Sequence, residues 1–402
     1  MTSALFTPSL LAAESELGLD ADPATRTQRT LAVHALTAQL AETAIERDRL
    51  GGLPKRERDL IRESGLLRLT IPRELGGDGQ PLSVMLNVVR ALARVDPSLA
   101  HVFAFHHLML ASVRLYGSPA QWTLALQQTA AENAFWGNAL NPKDPRTSLR
   151  LRDGQLYIDG IKSFCSGAGD SDRLIVSALQ ADTQKLAVAM VPTRRQGIVV
   201  RGDWDAIGQR QTDSGTVELH DVAVSEDELL KTPGPLGSVF ASLRSCIAQA
   251  ILVHIYQGIS EGAFAATQEA LEKRPQTASD AGLHLRAGEL FVELEGARLL
   301  SERARRALDA AWQRGDALTS RERAETAVSI ALAKVASTRA GLSVTTRMFE
   351  LIGARSALRE SALDRYFRNL RTHTLHDAVD DKLRELGAFA LLGSEPVPGF
   401  YG

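Results

Sequence analysis

The spacing of apolar positions divides the chain into three stretches of different texture. From Thr30 to about Asn133 the period is helical: Leu36, Leu40 and Ile45 share one stripe, Gly51-Gly52 breaks it, and Pro54 opens a second helix. "GLLRLTIPRELGGDG" ends that helix in a turn-rich loop. A third helix is predicted from Leu82 to Val95, stopping at Asp96-Pro97 because a residue ahead of proline is pushed out of the helical region. A fourth carries His101, Phe105, His106 and His107. Past Phe135, "LRLRDGQLYIDG" alternates around Asp153-Gly154, a dipeptide suited to a tight hairpin turn. "DRLIVSAL", "LAVAMVP", "GIVVRG" and "GTVELHDVAV" read as further short strands. "KTPGPLG", Lys231 to Gly237, is a linker. Beyond it, Leu283, Ala287, Leu290, Leu294, Ala297, Ala304 and Leu308 form one helical stripe, and Val328, Ala331, Val335, Leu342 and Phe349 another. Such stripes belong in an antiparallel bundle, and core packing is the simplest account of each position.

Helices, then strands, then helices argue for an α+β protein over an alternating parallel α/β sheet. The divisions fall at 1–134, 135–233 and 234–402. A length of 402 residues fits this modular reading, since single cores rarely exceed about 250 to 300 residues. The 46 basic and 48 acidic residues nearly cancel, so no general field would hold the chain on nucleic acid or an anionic bilayer. Small-molecule partners are favoured. Cys165 and Cys246 are far apart and read as free thiols of a reducing compartment. The N-terminus lacks the basic region of a signal peptide, and the longest apolar candidate, near Ile247 to Ile255, is cut by Gln249 and His254. These features predict a cytoplasmic protein.

Two stretches carry candidate chemistry. "KSFCSGAGDSD", Lys162 to Asp172, places Gly167 and Gly169 after a strand but lacks the third glycine of a dinucleotide fingerprint and is followed by strand. It reads either as an ordinary loop or as a turn whose backbone and small side chains, Ser163 or Ser166, approach a planar cofactor. In "RTHTLHD", His373 and His376 are three apart and share a face if the segment is helical. Metal ligation, helix packing and acid–base work near neutral pH all use such a pair. His101 and Phe105 are one turn apart, with His106 grouped beside them, and Asn138 is a short amide at the start of the strand region.

Taken together, "GLLRLTIPRELGGDG", "FWGNALNPKD", "GIKSFCSGAGDSDRLIVSA", "WDAIGQRQTDSGTVELHDVAV" and "RNLRTHTLHDAVDDKLRELG" resemble the acyl-CoA dehydrogenase superfamily. Within it they resemble the flavin-dependent, dibenzothiophene monooxygenase-like branch. The resemblance implies an N-terminal helical domain, a central β barrel, a C-terminal four-helix bundle, and a homotetramer built as a dimer of dimers.

Two departures from the dehydrogenase pattern select the branch. Where dehydrogenases place a carboxylate base, this chain has His373 and His376. Where they hold the adenosine half of FAD, "EKRPQTASD" lacks Phe-Gly after Arg274, and "MFELIGARS" has Glu350 in place of glutamine. A carboxylate facing a pyrophosphate is repulsive, which favours FMN over FAD. The branch implies FMNH2 delivered by a separate NAD(P)H-dependent flavin reductase, reaction with O2 to a C4a-hydroperoxyflavin, and oxygenation of a small apolar, organosulfur substrate. An FAD-dependent acyl-CoA dehydrogenase and an N-hydroxylating monooxygenase of an amine or amino sugar are the competing activities.

By resemblance the catalytic residues are His376, backed by His373, with Ser166, Asn138 and His101. Phe105 stands in the substrate pocket where a relative carries tyrosine. Phe164 and Trp204 would wall the flavin with Ser166 and Asn138 at its edge, and Arg274 and Arg355 would meet its phosphate. No metal is expected. In the tail "EPVPGFYG", Phe400 and Tyr401 either fray or dock at the active site or a subunit interface.

Overall fold

Prolines and short polar caps decide where the first helices begin. In the computed structural model, which describes residues 23–272 and 274–400, the N-terminal part holds α1 (Pro23–Leu50), α2 (Lys55–Glu63), α3 (Leu82–Ala93), α4 (Pro97–Tyr116) and α5 (Pro119–Glu132). Helix α3 ends at Ala93, short of the expected Val95, because Asp96 caps α4 instead: its carboxylate accepts from the Leu99 amide at 3.0 Å and Pro97 takes the first helical position. Ser118 and Gln121 form a capping box on α5. On α1, Leu36 and Leu40 are buried as the stripe requires, but Ile45 is 40 % exposed. The buried line runs instead through Ala44 to Arg47, whose guanidinium reaches Asp96 at 2.5 Å.

The middle part is one curled seven-stranded sheet in the order β1-β4-β2-β3-β7-β6, with β5 on β4. Its strands are β1 (Trp136–Ala139), β2 (Thr147–Arg152), β3 (Gln155–Lys162), β4 (Arg173–Gln180), β5 (Leu186–Pro192), β6 (Ile198–Val200) and β7 (Val217–Val224). The β2–β3 hairpin pairs Leu149 with Ile158 and turns at Asp153-Gly154, both at positive φ (51° and 79°), the geometry that dipeptide supplies. Strand β1 is four buried residues with no alternation, so period alone did not reveal it. It pairs in parallel with the start of β4, Trp136 opposite Arg173, and this pairing carries Asn138 into the protein interior. The inner face of the sheet buries Leu149, Ile158, Val176, Val191, Leu219 and Val222 in a core of their own.

The C-terminal part contains α6 (Leu243–Glu272), α7 (Ala281–Arg314) and α8 (Ser320–Ile352), followed by the short α9 (Asp364–Thr374) and α10 (Val379–Leu392), which pack on α8. Leu283, Leu290, Leu294, Ala297, Ala304 and Leu308 are buried as expected, and Leu283, Leu290, Ala304 and Leu308 join the bundle to the N-terminal helices in one continuous core. Helix α8 is long and apolar enough by composition to cross a bilayer, a run the sequence reading missed, but 67 % of that window is buried in the protein. It is a core helix here.

Candidate active site

Helix α4 from the N-terminal part and α9 from the C-terminal part bring two of the expected histidines together. The His101 ring lies 4.8 Å from that of His373, tilted by 51°, and Phe105, one turn further along the same face of α4, stacks on it at 3.9 Å and 20°. Tyr256 of α6 closes the far side, 6.2 Å from His373. His101 and His373 are buried, and neither ring nitrogen of His101, nor Nδ1 of His373, meets a hydrogen-bonding atom of the chain. Burial, reinforced by the nearby His376, pushes His101 down to about 3. Burial first, then His101, His376 and Lys334, holds His373 well below the ordinary imidazole range. Both rings are therefore neutral near pH 7.

His376 departs from the expected shared helical face. Helix α9 ends at Thr374, so His376 sits in the following turn, its amide donating to the His373 carbonyl at 3.0 Å. Its side chain is 37 % exposed and its Nδ1 lies 3.1 Å from Oδ1 of Asp377. The side chain seen to hold His376 is that of Asp377. Although burial pushes the Asp377 carboxyl up, the hydrogen bond from His376 and the charge of Lys334 outweigh it and hold it below the usual carboxylate range. Lys334 of α8 reaches Asp377 at 3.3 Å and the Tyr256 hydroxyl at 3.2 Å, and that hydroxyl donates to the His373 carbonyl at 2.8 Å. Sequence reasoning missed Tyr256, Lys334 and Asp377. A lone lysine in the apolar run "SIALAKVAS" was the available signal for one of them.

A second cluster forms where the glycine-rich loop meets β1. The Asn138 amide donates to the Ser166 carbonyl at 3.0 Å, and Oδ1 of Asn138 accepts from the Leu140 amide at 3.1 Å. The carboxamide nitrogen of Asn138 has no partner among the described residues. Oγ of Ser166 lies 2.8 Å from that of Ser214, which donates to Thr212 at 2.7 Å, which donates to the Gln209 carbonyl at 2.9 Å. Gly167 takes a left-handed φ of 70°, which side chains rarely adopt, where the loop passes Val102 of α4. Arg58 of α2 fixes the loop from below, donating to the carbonyls of Gly167 at 3.0 Å and Asp170 at 2.9 Å. Phe164, at φ 60° and 65 % exposed, meets Trp204 edge to face at 6.1 Å, and Trp204 Nε1 donates to the Gln209 carbonyl at 2.8 Å.

Other expected residues lie elsewhere. His106 does not group with His101: it turns to the opposite side of α4, between the Leu67 carbonyl at 2.8 Å and the Trp136 amide at 3.2 Å. Arg274 holds the end of α8 through the carbonyls of Leu351 and Ile352, and Arg355 is exposed in the turn just beyond. No contact joins either arginine to the histidines among the described residues. In the tail, Pro396 is buried and its carbonyl accepts from Arg323 at 3.4 Å, so this segment docks on α8. Phe400 is half-buried, and Tyr401 lies outside the described residues.

Helices, a curled sheet and helices follow one another in the order of the acyl-CoA dehydrogenase domains. Three family models match in series: the acyl-CoA dehydrogenase N-terminal domain over residues 23–133, the middle domain over 137–222 and the C-terminal domain over 250–381. A probable FMNH2-dependent monooxygenase, SfnC of Pseudomonas putida, is 50 % identical over 376 residues, covering 91 % of this chain and 95 % of that one. The methanesulfinate monooxygenase MsuC of Pseudomonas fluorescens superposes with a TM-score of 0.91 at 49 % identity, covering 92 % of this chain and 99 % of that one. FMN-bound TdsC, a dibenzothiophene monooxygenase of Paenibacillus sp. A11-2, superposes at 0.88 with 36 % identity, covering 94 % and 100 %. The chain belongs to the acyl-CoA dehydrogenase superfamily, in its flavin-dependent, dibenzothiophene monooxygenase-like branch.

Proposed function

We propose that this protein is an FMNH2-dependent monooxygenase that oxygenates a small organosulfur compound, receiving its reduced flavin from a separate reductase. The observation that carries the reading is the buried pair His101 and His373, whose neutral imidazoles keep ring nitrogens unpartnered within the chain. Buried polar atoms are normally satisfied, so unsatisfied ones gathered beside a small-residue loop point to a ligand. The likeness to SfnC, MsuC and FMN-bound TdsC supports FMN as the flavin and organosulfur as the substrate class.

Reduced FMN, held by the residues below, would supply the chemistry that activates dioxygen. The chain's own residues bind, orient and ration protons. His101 and His373 present hydrogen bonds without charge, which keeps the pocket poor in free protons at neutral pH. Phe105 walls the pocket with a ring and no hydroxyl. Asn138 offers its unpartnered amide nitrogen, and Ser166 offers a lone pair, because its own proton is committed to Ser214. His376, half exposed and anchored by Asp377, handles the proton at the pocket mouth. Phe164 and Trp204 form an aromatic edge against which a flat ring can lie; since neither arginine reaches the histidines within one chain, Arg274 and Arg355 would meet the phosphate of a flavin seated in a neighbouring copy. We also read the assembly as a homotetramer: on α7, Leu285, Val292 and Leu299 recur every seven residues at 68 %, 71 % and 57 % exposure, a seam suited to a second copy.

The test supplies photoreduced FMN and air with methanesulfinate or dibenzothiophene. Oxygenated product, with a C4a-adduct absorbance, is expected from at least one sulfur compound. Flavin binding with neither adduct nor product from any sulfur compound would refute the proposal.

A further inference from the structure

We infer that Lys334 is a positioning residue for the active-site turn: one buried ammonium fixes Asp377, and through it the tautomer of His376, while through Tyr256 it fixes the backbone of His373. This rests on the reading of His376 as the residue that handles protons.

Lys334 sits on the apolar stripe of α8 with its side chain 1 % exposed. An unpaired charge at such a depth is strongly disfavoured, so the site must satisfy it. It does so with two groups from different parts of the chain. Nζ donates to Oδ1 of Asp377 at 3.3 Å and to the Tyr256 hydroxyl at 3.2 Å, and stands 4.7 Å from the Tyr256 ring centre. Each of these leads to a histidine. The same Oδ1 of Asp377 lies 3.1 Å from Nδ1 of His376. A carboxylate only accepts, so the neutral imidazole keeps its proton on Nδ1 and Nε2 is the basic nitrogen. The Tyr256 hydroxyl, accepting from Lys334, has its proton left for the His373 carbonyl at 2.8 Å, the oxygen that also receives the His376 amide at 3.0 Å. The turn from His373 to Asp377 is thus tied at both ends to one nitrogen.

The charged and titratable groups facing Lys334 are Asp377 and His376 from the turn, His373 from α9, Tyr256 from α6 and Lys382 from α10. Of these only Asp377 opposes its charge. Lys382 is drawn away by Glu385 at 3.0 Å. Burial pushes Lys334 down to about 8 against the pull of Asp377, so it remains mainly protonated at neutral pH. Burial, then Asp377, raises the Tyr256 phenol, which keeps it a donor.

An ion pair that only holds α8 to the turn would leave the same contacts, and the two readings separate in a double variant. Replacing both partners of a buried pair with neutral groups is often nearly neutral for stability, whereas removing one is not. The experiment takes the full-length protein, wild type, Lys334→Met and Lys334→Met/Asp377→Leu, and reads the His376 tautomer by 15N NMR alongside Tm, FMN affinity and turnover. Wild type should show the proton on Nδ1. The double variant should fold with a Tm close to wild type and bind FMN equally well, yet show a shifted or averaged tautomer and a kcat lower by about 10- to 100-fold. Lys334→Met should show the same tautomer shift, and should it fail to fold, the double variant still decides. An unchanged Nδ1–H tautomer in the double variant, or wild-type turnover recovered together with that tautomer, overturns the inference. A shifted tautomer with undiminished turnover supports the positioning and refutes instead the role given to His376.

Discussion

The two sides of helix α4 carry histidines of nearly equal burial and opposite character. His106 is satisfied at both nitrogens, Nε2 at the Leu67 carbonyl (2.8 Å) and Nδ1 beneath the Trp136 amide (3.2 Å), and His107 is likewise placed between the Thr70 hydroxyl (3.0 Å) and the Leu66 carbonyl (3.2 Å). His101, one turn earlier, has the same depth and no partner at either nitrogen. Burial pushes His106 down to about 4 and His101 to about 3, so titration does not tell them apart. Hydrogen-bond accounting does. A buried imidazole that welds a helix to a strand spends its nitrogens on backbone, and one kept for a ligand cannot.

The largest effect that would break this contrast lies beside the His101–His373 pair, at the residue proposed to handle protons. His376→Ala should lower turnover by about 100- to 10,000-fold, the usual worth of a positioned acid–base group, while FMN affinity stays within about two-fold. Equal losses in both quantities would place His376 in flavin binding instead.

Next in size is stability on the satisfied side. His106→Leu strands the Leu67 carbonyl and the Trp136 amide, each costing roughly 1 to 3 kcal/mol when buried without a partner, so denaturant unfolding should show a loss of about 2 to 6 kcal/mol. His101→Leu strands nothing of the chain's own and should stay within about 1 kcal/mol of wild type. Comparable losses for the two variants would dissolve the distinction.

Acid should act on both sides alike. The folded chain keeps His101 and His106 neutral down to about 3 and 4, and His107, His254 and His373 are shifted in the same direction. Unfolded histidines take up protons from about pH 6.5 downward, so between roughly pH 6.5 and 4 the unfolded state binds more protons. Stability is full above that window and falls as pH drops through it, by up to about 1.4 kcal/mol per pH unit for each such histidine. His101→Leu should reduce that slope by one histidine's share, measured by urea titration across the window. An unchanged slope would mean that His101 is not buried neutral.

Much of this arrangement was legible in the sequence because it depends on local rules. Asp96-Pro97 and Asp153-Gly154 announce a helix boundary and a hairpin, and the stripe from Leu283 to Leu308 lies in the core where its period put it. What was not legible is contact across the chain. A spacing of three suggested that His373 and His376 share a face, but the helix stops between them and the third member of the group, Asp377, takes over the support. Nothing local says that Lys334 and Tyr256, each on a long buried helix, converge on that turn, or that His106 turns away from His101. Strand β1 was invisible for the related reason that a fully buried parallel strand has no alternation to read.

The smallest effect sharpens the comparison within the glycine-rich loop, where a hydroxyl is both satisfied and available. The Gln209 carbonyl can only accept, so Thr212 must donate to it, Ser214 must donate to Thr212, and Ser166 must donate to Ser214. The direction of that chain leaves Ser166 an outward lone pair and no proton. Such a group discriminates between flavin redox states, since reduction adds a ring N–H where the oxidised ring has a bare acceptor. Ser166→Ala should therefore weaken binding of FMNH2 by about five-fold, the equivalent of one hydrogen bond near 1 kcal/mol, and leave oxidised FMN nearly unaffected. Anaerobic titration with reduced flavin beside an aerobic titration with oxidised flavin measures both. An equal weakening of the two forms would show that the loop shapes the pocket without sensing the proton.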